Sequence, residues 1–207
     1  MCLVVFGGAG GCAFINGRRQ LAKGLGVLAL VACLVAVMCF RVPSRRVTLN
    51  PEVLLAPADG WVIGVKDYHE DQALKVDVLR ISVFVRWVDP FGAHLPAAGA
   101  VKERLTLGTT RYPAFQERAS DTNRRTVIVV ESPGGRHYAV CQISGVLPFL
   151  ALNDVEPGQN LDAGARIGRL LGGGRVDILA PKAAVRVCVK TGDRVRAGET
   201  VIAQWRR

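Results

Sequence analysis

The chain has 207 residues, of which 50% are hydrophobic and 6% are aromatic, and its formal net charge is +10. This length allows one ordinary domain and an appendage, and the scarcity of aromatic residues among the basic ones argues against a nucleic-acid-binding surface. Six cysteines are present without a Cys-x-x-Cys pair. We therefore expect no metal site, and reduced cysteines in a cytoplasmic compartment.

The first predicted unit is a membrane anchor over residues 1–46. Residues 24–40 (GLGVLALVACLVAVMCF) carry no charge, and basic residues flank them on both sides. At 1.5 Å per residue such a helix is about 25 Å long, the short end of what crosses a bilayer. Six basic residues suit anionic headgroups and favour a cytoplasmic position for the rest of the chain: Arg18, Arg19, Lys23, Arg41, Arg45 and Arg46. A cleaved signal peptide is the alternative, and a second membrane segment over residues 1–17 is left open.

Residues 47–207 are predicted to form a mostly β domain. Short segments of alternating β-branched residues, separated by Gly, Pro and Asp, favour an all-β sandwich or barrel. The predicted strands cover residues 61–65, 73–87, 126–131, 137–146, 175–179, 185–190 and 200–205, with one short helix within 112–123. The segment VKTGDRVRAGETVIA (residues 189–203) predicts tight turns at Gly192–Asp193 and Ala197–Gly198. Such a hairpin is typical of barrel-sandwich domains, but no swinging-arm lysine motif accompanies it.

Three consecutive glycines precede one predicted strand, in RIGRLLGGGRVDILAP (residues 166–181). Each glycine gives up side-chain packing and adds a backbone entropy cost. The run therefore indicates either that another group approaches this backbone closely or that a side chain has been lost. As a phosphate cradle it is a weak signal, because no helix start follows.

Four blocks, in order, resemble the phosphatidylserine decarboxylase family, especially its short, membrane-anchored proenzyme form. They are FRVPSRR with APADG (residues 40–60), ISVFVRWVDPFGAH (81–94), RASDTNRRTVIVVES (118–132) and RIGRLLGGGRVDILAP (166–181). The resemblance implies a barrel-sandwich-like β domain of the phosphatidylserine decarboxylase type, preceded by an N-terminal membrane segment. It also implies a role in phosphatidylethanolamine metabolism.

The resemblance further implies a self-cleaving proenzyme. In the family, a serine assisted by a histidine and an aspartate attacks the preceding carbonyl, and elimination leaves the pyruvoyl group that serves decarboxylation as an electron sink. Asp59 and His94 match the assisting pair, and Gly173–Gly174 matches the cleaved bond. Gly174 stands where the family has its serine. We therefore expect a non-processing homologue that forms no pyruvoyl and uses no other cofactor.

Further departures and alternatives accompany this interpretation. The family's Asn-Arg pair after the histidine is absent, and Gly172 stands where the family has phenylalanine. Arg175 is a candidate contact for an anionic lipid headgroup, and the expected partners are membrane phospholipid, a partner enzyme or a second copy of the chain. Two alternatives stay open: an active decarboxylase processed at an unexpected residue, for which Thr109 and Thr110 are candidates, and a barrel-sandwich adaptor of a membrane complex. Asp59 as a simple turn residue and His94 as an ordinary polar loop residue also remain open.

Overall fold

The computed structural model describes residues 20–34, 36–37, 45–48, 50–69, 73–146 and 151–206. The chain divides into two compact units, Met1–Arg41 and Val42–Arg207. In the first unit, residues 20–34 and 36–37 are helical (α1). Within the described ranges, α1 does not reach the length and apolarity that crossing a bilayer requires. Much of the predicted anchor, including residues 1–19 and 38–44, lies outside the described residues, so the anchor stays a prediction.

The second unit is mostly β, as predicted. Its described residues form fourteen strands: β1 Val53–Leu55, β2 Gly60–Tyr68, β3 Val78–Val85, β4 Gly92–His94, β5 Gly99–Leu107, β6 Arg125–Ser132, β7 Arg136–Ser144, β8 Ala151–Asn153, β9 Asn160–Leu161, β10 Arg166–Leu170, β11 Gly174–Pro181, β12 Val185–Val187, β13 Arg194–Val195 and β14 Val201–Trp205. A short helix, α2, spans Ala119–Thr122, and a 3₁₀ turn spans Lys182–Ala184.

The strands form three antiparallel sheets. Eight strands pair in the order β13-β2-β3-β11-β7-β6-β5-β9, and this sheet curls into an open half-barrel. Two smaller sheets have the orders β1-β14-β12 and β4-β10-β8. Strand β10 ends next to the glycine run, and β11 begins at its last glycine. The glycine run therefore carries the chain from a small sheet into the centre of the large one.

Strand β11 lies at the centre of the large sheet, between β3 and β7, and it is buried on both faces. Because side chains alternate along a strand, Gly174 and Val176 point to one face, and Arg175 and Asp177 point to the other. The second face also carries an apolar cluster of buried residues: Val78, Val127, Val129, Ala139, Cys141, Ile143 and Leu179. Gly174 and Arg175, the two residues that follow the matched cleavage bond, thus face opposite sides of the sheet.

The predicted strands overlap β2, β3, β6, β7, β11, β12 and β14. The nine-residue strand β5 was not predicted, because Lys102, Glu103 and Arg104 interrupt its apolar alternation where its register shifts. The turns at Gly192 and Gly198 are present, with φ angles of 94° and 71°. However, β13 between them pairs with β2 rather than with its own neighbours, so this segment is not a local hairpin.

Candidate functional site

The glycine run forms the turn between β10 and β11. The backbone N–H of Gly173 donates to the carbonyl oxygen of Leu170 at 3.0 Å. Gly172 and Gly173 have φ angles of 78° and 86°, in the left-handed region that disfavours residues with a side chain. Two of the three glycines are therefore required by the backbone conformation of this turn.

The backbone packs closely around the matched cleavage bond. A Cβ atom on Gly173 would lie 2.7 Å from the carbonyl oxygen of Val85, and one on Gly174 would lie 2.9 Å from that of Ile143. Gly174 is buried, and it pairs with Val85 and Ser144 across the sheet. A close approach, one of the two explanations that the sequence allowed, is thus present, and even the smallest side chain at either position requires the neighbouring strands to shift.

A groove of about 440 Å³ opens over this turn. Its walls come from the end of β3, the segment before α2, the end of β7 and the turn itself, with these lining residues: Phe84, Val85, Arg86, Trp87, Pro113, Ala114, Phe115, Gly145, Val146, Leu171, Gly172, Gly173 and Gly174. The lining is mostly apolar. Neither Asp59 nor His94 lines this groove.

Asn123 joins two walls of the groove and was not singled out in the sequence. Its side-chain amide donates to the carbonyl oxygens of Tyr112 at 2.7 Å and Ser144 at 2.9 Å, and its Oδ1 accepts from the N–H of Tyr112 at 2.7 Å. The side chain is fully buried. The signal available in the sequence was the position of Asn123 just ahead of the β-branched strand β6. A side-chain amide buried there must satisfy its donors and its acceptor together.

Asp59 lies in the bend between β1 and β2, where it is nearly buried. The Arg45 guanidinium donates to its Oδ1 at 2.6 Å. Burial raises the pKa of Asp59 above its ordinary value, while Arg45 opposes this shift and the nearby carboxylate of Asp89 reinforces it. Arg45, which the sequence suggested as a headgroup-facing flank of the anchor, is instead the ion-pair partner of this acid.

His94 ends β4 and is partly buried. Its backbone N–H donates to the carbonyl oxygen of Pro57 at 2.6 Å, and its Nδ1 is buried without a hydrogen-bond partner among the described residues. Burial lowers the pKa of His94, and the charges of Arg45 and Arg166 lower it further. The lowered pKa favours the neutral imidazole, which is the form that accepts a proton.

Asp59 and His94 lie around Arg45, and neither lines the groove over the glycine turn. The charge of Arg45 acts on both side chains. His94 pairs with Arg166 at the start of β10, whereas the turn follows Leu170 at the other end of that strand. At about 3.3 Å per residue, these two ends are about 13 Å apart. This corner of Asp59 and His94 can accept a proton, and its action on the matched bond stays a prediction.

Arg175 lies inside the sheet rather than on the surface, and only 4% of it is exposed. Its guanidinium donates to Asp177 Oδ1 and to Ser82 Oγ, both at 2.6 Å. Asp177 also accepts from the Ser120 hydroxyl at 2.6 Å. Arg175 borders a small cavity with Lys66 and Glu117, but its charge is already balanced by Asp177.

Arg80 completes this polar cluster, which the sequence analysis did not identify. Its guanidinium donates to Asp121 at 2.8 Å and stacks 3.5 Å from the ring centroid of Tyr68. The Arg80 side chain is buried, and its Nε lies 3.8 Å from Asp177. Charged residues at inward-facing positions of two strand patterns, in LRIS and GRVD, were the signal that could have revealed this cluster.

Thr109 and Thr110 lie after β5 and next to Thr122 and Asn123. Both backbone N–H groups donate to the carbonyl oxygen of Thr122, and the Thr110 hydroxyl lies 3.2 Å from Asn123 Oδ1.

Within the described residues, no group of three or more His, Cys, Asp or Glu side chains is arranged to hold a metal ion.

Comparison with known proteins extends the resemblance over most of the chain. Residues 34–203 match the family described as phosphatidylserine decarboxylase. Relatives named phosphatidylserine decarboxylase proenzyme include one from Carboxydothermus hydrogenoformans, 32% identical over 87% of this chain and 84% of the relative. Another, from Gluconacetobacter diazotrophicus, is 32% identical over 95% of this chain and 89% of the relative. A third, from Nitrosomonas eutropha, is 33% identical over 86% of this chain and 82% of the relative. The chain belongs to the phosphatidylserine decarboxylase family.

Proposed function

We propose that this chain acts in phospholipid metabolism as a non-processing member of its family, which remains uncleaved and forms no pyruvoyl group. A pyruvoyl group made by self-cleavage needs a side-chain oxygen at the residue after the cleaved bond. Gly173 and Gly174 supply none, so the residues present do not fit that group. The retained role is binding of phospholipid at the bilayer surface, alone or in support of a partner enzyme.

The observation that carries this proposal is the environment of Gly174. This glycine is buried, and a Cβ atom there would approach the Ile143 carbonyl oxygen to 2.9 Å. The site therefore lacks a nucleophile and also the room for one without movement of β7. If Gly174 lay in an open loop, its lack of a side chain would support the proposal less strongly.

The corner formed by Asp59 and His94 adds a second, weaker support. Arg45 occupies the Asp59 carboxylate at 2.6 Å, and this carboxylate would otherwise be available to orient an imidazole. Burial lowers the pKa of His94, which favours its neutral form. The corner thus retains proton-accepting groups, with His94 paired to the end of β10 opposite to the turn.

The intact mass of the purified full chain tests the proposal. We expect one uncleaved species, and no release of CO₂ from carboxyl-labelled phosphatidylserine presented in mixed micelles. Cleavage at the matched bond would instead produce fragments of 173 and 34 residues, the smaller with a pyruvoyl end, and would refute the proposal.

The same mass measurement addresses processing at another residue. A cut before Thr109 or Thr110 would give a much larger C-terminal fragment, beginning at that threonine. The Thr110 hydroxyl lies within hydrogen-bond distance of Asn123, next to an amide rather than a base. We therefore expect Thr109→Val and Thr110→Val to leave the mass pattern of the chain unchanged apart from the substitution.

A further inference from the structure

Three large apolar side chains are exposed around the groove over the glycine turn. Trp87, Phe115 and Val146 are 65%, 62% and 58% exposed, and all three line this groove. We call these three residues the groove patch. Single exposed apolar residues are ordinary, but several gathered around one apolar concavity indicate a surface that contacts another apolar phase.

The groove patch is built on ordered elements of the β unit. Trp87 follows β3, Val146 follows β7, and the Phe115 ring meets Phe84 edge to face with centroids 6.2 Å apart. Asn123 ties the segment before α2 to the end of β7. The patch is therefore held in place by the fold rather than presented on a free tail.

Three arginines lie in the chain segments next to the walls of the groove. Arg111, Arg118 and Arg124 are exposed, and within the part of the chain that the structure describes they form no ion pair with a carboxylate. Arg118 lies over the Tyr112 ring, 4.0 Å from its centroid. The neighbouring acids, Glu117, Asp121 and Asp89, are each paired with a basic residue. This edge of the β unit therefore combines exposed apolar rings with uncompensated positive charge.

We propose that the groove patch inserts into the interfacial layer of an anionic phospholipid bilayer. Exposed Trp and Phe side chains favour the boundary between headgroups and acyl chains, and each nearby arginine adds electrostatic attraction to an anionic surface. The inference rests on the proposed role at a phospholipid surface, and it names the part of the β unit that meets the lipid. Insertion of the groove patch would place the groove at the depth where the acyl chains begin.

Tryptophan fluorescence of the full chain tests this proposal. The chain has three tryptophans; Trp61→Phe leaves Trp87 and the buried Trp205, and Trp61→Phe/Trp87→Phe leaves Trp205 alone. The difference between the two variants reports Trp87 without altering Trp205. Equimolar phosphatidylcholine and phosphatidylglycerol vesicles, with or without brominated acyl chains, supply the quencher. We expect brominated chains to quench the Trp87 signal by about half and to leave Trp205 almost unaffected.

A charge-matched pair of variants tests the role of the arginines. Arg111→Gln/Arg118→Gln/Arg124→Gln, made in the Trp61→Phe background, should reduce the quenching of Trp87 about twofold. Arg186→Gln/Lys190→Gln/Arg196→Gln removes the same charge from exposed positions elsewhere and should not reduce it. Equal loss in both variants, or undiminished quenching in vesicles of phosphatidylcholine alone, would overturn the assignment of an anionic surface.

Two further outcomes would overturn the proposal as a whole. One is an unquenched Trp87 on vesicles that carry the bound protein. The other is a Trp87 already shielded from aqueous acrylamide in a dimer, which would assign the groove patch to a second copy of the chain. The intact mass of the same sample reports cleavage independently, so failure of this inference is distinguishable from failure of the non-processing proposal.

Discussion

The glycine turn and the corner of Asp59 and His94 differ in what each keeps of the site that the family resemblance implies. The turn has no side-chain oxygen at Gly173 or Gly174, and its neighbours lie so close that a Cβ atom at either position would come within 3.0 Å of a backbone oxygen. The corner keeps its acid and its imidazole, but Arg45 holds the acid and the imidazole lies at the other end of β10. Side-chain chemistry and backbone geometry are therefore separable, because the first depends on single atoms and the second on the packing of whole strands.

The cluster of Arg175 and Asp177 explains why the backbone geometry at the turn is firmly held. These residues follow Gly174 on β11, and their charges are satisfied inside the sheet by each other, by Ser82 and by Ser120. Any displacement of Gly174 would therefore disturb buried charges on the opposite face.

The largest effect is expected for Asp177→Asn. This isosteric change removes the negative charge that Arg175 and Arg80 share, and leaves two buried guanidinium groups without it, which should lower the free energy of unfolding by about 3 kcal/mol. Thermal unfolding followed by circular dichroism measures the loss. The exposed Asp162→Asn is the matched control and should change stability very little; similar values for the two variants would show that the cluster is not a stabilising element.

The next largest effect is expected for Gly173→Ala. Gly173 and Gly134 have nearly the same φ angle, 86° and 88°, but a Cβ on Gly134 meets nothing within 4 Å. Gly134→Ala therefore measures backbone strain alone, about 1 kcal/mol, and Gly173→Ala should cost at least about 1 kcal/mol more. Denaturant titration of both variants gives the difference. If the two costs were equal, close packing at the turn would not be the reason for glycine there.

A smaller effect is expected from the pH dependence of His94. Its pKa in the folded chain is lowered below the ordinary value of 6.5, so the unfolded chain binds the proton more readily. The stabilising contribution is complete above pH 6.5 and decreases as the pH falls below that value, and each tenfold difference in proton affinity between the two states corresponds to about 1.4 kcal/mol. His94→Gln should flatten this part of the stability profile. A profile that is identical in wild type and His94→Gln would contradict the prediction.

The smallest effect is expected in the cleavage of Gly174→Ser. This change restores the missing hydroxyl, but His94 pairs with the end of β10 opposite to the turn, and a misplacement of only about 1 Å can cost about 10²-fold in rate. We expect no cleavage detectable by intact mass after prolonged incubation. A C-terminal fragment beginning at residue 174 with a pyruvoyl end would show that the corner and the turn still work as one site.

The fold class and the order of the main strands followed from local pattern. The β-branched alternation of β6 and β7 and the turn glycines at Gly192 and Gly198 identify strands and turns without tertiary information. Strand β5 was not predicted, because its middle is charged and its register shifts there. The pairing of β13 with β2 was not predicted either, because it joins segments more than 100 residues apart.

The sequence by itself determined the family and the absence of a hydroxyl at Gly174, because both depend on residue identity alone. Only the tertiary structure decided which distant groups meet: Arg45 with Asp59, Arg175 with Ser82, and Trp87 with Phe115 and Val146 around one groove. The contact of Arg175 with Ser82 depends on the register of β11 against β3. A shift of one residue in that register would exchange the faces of Gly174 and Arg175, so the local pattern alone could not specify this contact.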